Sequence, residues 1–209
     1  MPTIPNPMKL LKVCLALTPL LFAPAMSQAA LFSYTVIMNG PSESPANASP
    51  GIGNGTVTFD TTAHTMAVNF SFSGLTGTTT AAHIHAATAV AGTGTAGVAT
   101  TTPTFAGFPL GVTSGTYNNT LDMTLASSYN PAFVTANGGT NASAETALQA
   151  AAAAGKSYLN IHSSTFGGGE IRGFLLPVPE PASVSLLAIG AGMGLLRRRR
   201  TRRSDARKV

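Results

Sequence analysis

A chain of 209 residues, 44% hydrophobic and only 9% charged, has room for one domain with accessory segments at its ends. Its net charge of +5 is unevenly placed: +2 over residues 1–29, −3 over 30–176 and +6 over 177–209, so the pI near 9.8 belongs to the tail. With Lys156 and Arg172 as its only basic residues, the central region excludes nucleic-acid binding through a basic surface, and a single cysteine excludes a disulfide scaffold.

The first segment, residues 1–29, reads as a secretory signal peptide. Lys9 and Lys12 precede the apolar run Val13 to Ala25, and small residues around Ser27 to Ala29 mark a cleavage point near Ala29. The run is too short, and too broken by Pro19 and Pro24, to suit a membrane span. Cys14 leaves with the leader, so the exported domain must be held by its core or by a bound ion.

Residues 30–176 are rich in Gly, Ala, Thr, Ser and Asn with short apolar alternations, the pattern of an all-β domain with many turns. Period-2 alternation predicts strands at 32–38, 55–59, 65–72, 81–85, 116–125, 157–162 and 170–175. Loops are expected over 39–53 and 87–97. The alanine-rich stretch 142–154 predicts one short helix, with Asn141 or Ser143 as N-cap, Glu145 in the first turn and Gly155 as the stop. Asn130-Pro131-Ala132-Phe133 suits a single helical turn before it. Short antiparallel strands over this length point to a Greek-key β-sandwich or barrel.

Two stretches carry the chemistry. In Ala82-His83-Ile84-His85-Ala86, Ile84 turns inward and both histidines take the opposite, accessible face; in Tyr158-Leu159-Asn160-Ile161-His162, Leu159 and Ile161 turn inward and His162 turns out. Two histidines about 6.5 to 7 Å apart on one strand face can converge on one ion, and His162 supplies a third nitrogen if its strand lies beside theirs. Copper and zinc both suit imidazole. The alternative is that the three are solvated or hydrogen-bonded side chains on a sheet surface. His64, in a turn after Asp60, is expected in solvent, and Glu170 and Arg172 are expected to form a structural ion pair with each other or with a neighbouring strand. No Gly-x-Ser-x-Gly elbow occurs, and Gly167-Gly168-Gly169 precedes a strand, unlike a phosphate loop.

Asn39-Gly40-Pro41-Ser42-Glu43-Ser44-Pro45, Gly55 to Phe59, His83-Ile84-His85, Asn160-Ile161-His162 and Gly169-Glu170-Ile171-Arg172-Gly173 resemble, in order and spacing, the CHRD domain. That domain is named after chordin, a secreted animal protein that binds growth factors, and it occurs in many bacterial exported proteins. The resemblance implies a non-catalytic binding or structural domain and assigns no reaction. The loop after His85 departs from the pattern in being Ala/Thr/Gly-rich without prolines. The His-x-His pair with a distant strand-borne histidine is also similar to the copper ligands of copper/zinc superoxide dismutases. That likeness implies, as an alternative function, a mononuclear copper or zinc protein with redox activity. The bridging histidine, zinc-site aspartate and disulfide cysteines have no counterparts, so it stops short of a full dismutase.

Residues 177–209 close the chain with Pro179-Glu180-Pro181, the apolar stretch Ala182 to Leu196, and Arg197, Arg198, Arg199 and Arg200, with Arg202 and Arg203 beyond. Fifteen residues rise only about 22 Å as a helix, marginal for a hydrocarbon core of about 30 Å. The arginines would remain cytoplasmic. The segment resembles the PEP-CTERM sorting signal of Gram-negative bacteria, which implies transient anchoring in the inner membrane and processing by an exosortase. It further implies delivery to the cell surface or exopolysaccharide matrix, where exopolysaccharide or other surface proteins would be the partners. An ordinary C-terminal anchor is the alternative.

Overall fold

The computed structural model describes residues 31–179. Residues 1–30, with the expected leader, and the sorting segment beyond Pro179, including Glu180, Pro181 and Arg197 to Arg200, lie outside the described residues. Three long strands open the domain: β1 (Leu31–Asn39), β2 (Ile52–Asp60) and β3 (Thr65–Ser73). Alternation sends Tyr34, Val36, Met38, Val57, Phe59, Met66, Val68, Phe70 and Phe72 into the core, while Thr, Asn and Ser, with Ile37 and Ile52, face out. They pair as an antiparallel meander from Leu31↔Asp60 through Ile52↔Ser73. The Asp60 carboxylate closes the β2–β3 turn by accepting from the Thr62 and Ala63 amides.

Next come β4 (Thr79–His85), β5 (Gly115–Asp122), β6 (Tyr158–Ser163), β7 (Ile171–Phe174) and the two-residue β8 (Leu176–Pro177). The strand order is β4-β6-β7-β1-β2-β3-β5, with β8 pairing β1. All pairings are antiparallel, and the sheet curls into a half-barrel, so the all-β expectation holds. The return of β7 to lie beside β1 across a long connection is the Greek-key move. The short β8 carried no alternation in the sequence and exists because β1 offers it a free edge at Tyr34 and Thr35.

Two helices fill the β5–β6 connection. α1 (Pro131–Ala136) starts with Asn130 accepting from the Ala132 amide and Pro131 at its first position. α2 (Asn141–Ala153) is the expected alanine-rich helix, and it buries Ala144, Leu148, Ala151 and Ala152 in the core. Its N-cap is Thr140, in place of the expected Asn141 or Ser143. Thr140 Oγ1 accepts from the Ser143 amide and Ser143 Oγ accepts from the Thr140 amide, which satisfies two orphan donors at once. Gly155 ends the helix at φ 65. His64 is 52% exposed, as expected, and its Nδ1 also bonds Glu145, buried on this helix, at 2.8 Å, which ties the β2–β3 turn to α2.

Candidate metal centre

The histidines sit where period 2 puts them, opposite Ile84, Leu159 and Ile161, all three fully buried. β4 and β6 are hydrogen-bonded neighbours with Ala81↔His162 and His83↔Asn160 in register, so His83 and His162 are diagonal neighbours on one face. That face is not open to water. His83 and His85 are 7% and 8% exposed, which corrects the expectation of an accessible face; only His162 is partly exposed. The cover is the connection after β4, expected as a loop over 87–97 and in fact running to β5. It first pairs with the free edge of β4, where Ala86 donates to Gly97 O and Ala99 to Ile84 O. It then reaches far enough across the face for Gly94 O to accept from Arg172 Nη1 at 2.9 Å.

Each ring is aimed by a backbone carbonyl. Nδ1 of His83, His85 and His162 lies 3.3, 2.8 and 2.9 Å from Pro103 O, Ala96 O and Gly167 O. A carbonyl only accepts, so each Nδ1 carries the ring proton and each Nε2 presents a lone pair. Those lone pairs converge: the three ligand atoms lie within 4.8 Å of one another, and the Nε2 atoms of His83 and His162 are 3.0 Å apart. At that distance the two nitrogens share either a proton or a cation. His85 Nε2 is buried with no hydrogen-bond partner. Around a tetrahedral zinc with bonds of about 2.0 to 2.1 Å, nitrogens are separated by about 3.3 Å, close to the 3.0 Å between His83 and His162, and a cluster that spans up to 4.8 Å would tighten at His85 to hold the ion. The carbonyl partners are of the kind that orient metal-bound imidazoles.

Burial, helped by the neighbouring rings His85 and His162, takes the His83 pKa down to about 3 against the pull of the Pro103 carbonyl. Burial takes His85 down to about 4 against the Ala96 carbonyl, with His162 and the Arg172 guanidinium adding to the fall. His162 is lowered as well, by burial, against the pull of the Gly167 carbonyl. All three rings are therefore neutral near pH 7, the form that binds a metal.

Side chains around the cluster share its face. Tyr158 stacks on His85 with centroids 4.7 Å apart at 6°, and Arg172 Cζ stands 4.8 Å over the Tyr158 ring. Asn160 lies between His83 and Arg172 in the strand register. Arg172 Nε donates to Ser42 O and stands 3.8 Å from Glu43 Oε2. Glu43 Oε1 and Asn160 Oδ1, both buried without partners, are each 2.8 Å from the point a Cβ on Gly169 would occupy. Burial pushes the Glu43 pKa up to about 7 against the Arg172 charge and the Ser44 amide. Tyr158 and Asn160 were legible by the same period 2 that placed His162. Glu43, from a loop 129 positions before Arg172, gave no local signal.

Glu170 and Arg172 do not pair with each other, contrary to one of the two expected arrangements. Arg172 meets Glu43, whereas Glu170 is fully buried and accepts from Ser49 Oγ at 2.6 Å, from the Thr76 amide and from the Gly77 amide at 3.2 Å. Burial alone would raise its pKa, but the bonds from Ser163, Ser49, Thr76 and Gly77 outweigh it and hold the carboxyl below its usual value.

The family model of the CHRD domain matches residues 34–175, more than half of the chain. The chain belongs to the CHRD domain family. A second model, the PEP-CTERM protein-sorting motif, matches residues 177–200, directly after the CHRD domain. That motif implies export, sorting to the bacterial cell surface and processing by exosortase-type machinery. No curated protein and no solved structure matches the chain. Among the described residues no helix is long and apolar enough to cross a membrane.

Proposed function

We propose that this protein is a non-catalytic component of the surface or extracellular matrix of a Gram-negative bacterium, whose CHRD domain holds one copper or zinc ion on His83, His85 and His162. Removal of residues 1–29 frees the domain, and residues 177–209 hold it transiently at the inner membrane until an exosortase processes the tail. The observation that carries the metal assignment is the convergence of three Nε2 lone pairs with every Nδ1 committed to a carbonyl. A surface histidine has no reason to hold its ring that way, and three do so together. The ligand set, all imidazole with neither carboxylate nor thiolate, suits copper or zinc over calcium or magnesium. The ion would take the place of a disulfide in a domain that has no cysteine, by fastening the long cover loop to β4 and β6. Exopolysaccharide or other surface proteins are its partners in this reading.

Titration of copper and of zinc into the tag-free protein, read by calorimetry and metal analysis, tests the assignment with His162→Ala as control. One equivalent bound by the unmodified protein and a loss of at least tenfold in affinity for the variant is expected. Equal binding by both, or none by either, returns the histidines to the sheet surface.

A further inference from the structure

Nine large hydrophobic side chains are exposed among the described residues, and four of them, Leu31, Phe32, Leu176 and Val178, gather at one corner. The reason is the β1–β8 pairing: Leu176 lies opposite Thr35 and the Val178 amide donates to Ser33 O at 2.9 Å, so the start of β1 and the exit of the domain run side by side. Phe32, Pro177 and Val178 also rim a groove of about 300 Å³ closed by Tyr34 and Ala153. The acid nearest in register, Asp60 opposite Leu31, is turned into its own turn by the Thr62 and Ala63 amides. The corner is thus apolar on both sides of the sheet edge.

We infer that this corner docks on the lipid surface of the membrane that holds the sorting segment. The inference rests on the reading of residues 182–196 as a membrane segment. Only Pro179, Glu180 and Pro181 separate Val178 from that stretch. Three residues reach no more than about 10 Å even at full extension. With residues 182–196 in the bilayer, the corner is held within about 10 Å of the headgroups, where leucine, phenylalanine and valine side chains partition into the interface. A second copy is a poorer occupant, because four side chains and a small groove fall far below the roughly 1,200 to 2,000 Å² that a stable interface buries. Docking would press Pro179 to Pro181 against the membrane surface, where a membrane-embedded processing enzyme meets its substrate, and cleavage there would free the domain from its second point of attachment.

The test uses residues 30–209, the form left once residues 1–29 are removed and free of cysteine, reconstituted in phosphatidylcholine vesicles and carrying one nitroxide at a time. The labelled variants are Leu176→Cys, Val178→Cys, Ser185→Cys within the apolar stretch, and Val90→Cys on the exposed cover loop. Collision with dissolved oxygen against a water-soluble nickel chelate gives the depth of each label. The expected result is Ser185→Cys inside the bilayer, with chelate access at Leu176→Cys and Val178→Cys at least tenfold below Val90→Cys. Ser185→Cys inside the bilayer with Leu176→Cys as open to chelate as Val90→Cys overturns docking alone. Ser185→Cys in water overturns the membrane-segment reading and docking with it. Spin–spin broadening at Leu176→Cys overturns docking in favour of contact between copies.

Discussion

Glu170→Gln probes the carboxylate that joins two loops to the β6–β7 hairpin, and its cost follows from counting donors. Thr76 N–H and Ser49 O–H point at one oxygen, Gly77 N–H at the other and the Ser163 hydroxyl bonds the same carboxylate, while Gln offers one acceptor and one NH₂. With its oxygen kept toward Thr76 and Ser49, the Gly77 amide is left facing another donor. One charge-assisted bond, worth about 1.5 to 3 kcal/mol, is lost, and the bonds that remain weaken to neutral strength. The sum is a loss of about 3 kcal/mol at pH 7, or about 1 to 2 M in the urea midpoint for a slope near 2 kcal/mol/M. The pH dependence gives an independent check. Because the folded pKa lies below the unfolded value of about 4.3, the contribution is present above that pH and fades as pH falls through the folded value. The deficit of Glu170→Gln should therefore shrink as the medium is acidified below about pH 4. Urea unfolding followed by circular dichroism across pH 3 to 8 reads both effects. An unchanged midpoint at neutral pH, or a deficit that grows in acid, refutes the reasoning.

Glu43 should act in the opposite direction. Its folded pKa near 7 exceeds the unfolded value, so its contribution is full below about pH 4.3 and is lost as pH rises through 7, by up to about 3 kcal/mol; Glu43→Gln should flatten that alkaline decline in a series of thermal melts. Gly169→Ala would place a methyl within 2.8 Å of both Glu43 Oε1 and Asn160 Oδ1 at a φ of 132, and a loss of about 2 kcal/mol or more in chemical denaturation is expected. Leu159→Ala, at a fully buried position of β6, should cost about 2 to 5 kcal/mol in the same assay. Copper or zinc should slow limited proteolysis of the cover loop around Ala96, because the ion fixes the two rings that bond its carbonyls at Ala96 and Pro103; His85→Ala should abolish that protection.

The sequence by itself determined the strands, the faces of those strands and the sorting address at the C-terminal end of the chain. Met66, Val68, Phe70 and Phe72 could be assigned to the core from alternation alone, since side-chain direction in a strand is a local property. The same locality placed His83, His85, Asn160 and His162 on one side, and the Pro179-Glu180-Pro181 motif was legible because a sorting signal is read as linear sequence. What surrounds that histidine face was decided only by tertiary structure. Whether it meets water depends on where a loop with no periodicity comes to rest, and the loop's anchors, the carbonyls of Ala96 and Pro103, belong to every residue and leave no mark in composition. The exchange of partners that gives Arg172 to Glu43 and Glu170 to Ser49, Thr76 and Gly77 has the same origin. An ion pair or a buried carboxylate is satisfied by whatever the fold brings within about 3 Å, and the fold brought residues more than 90 positions apart.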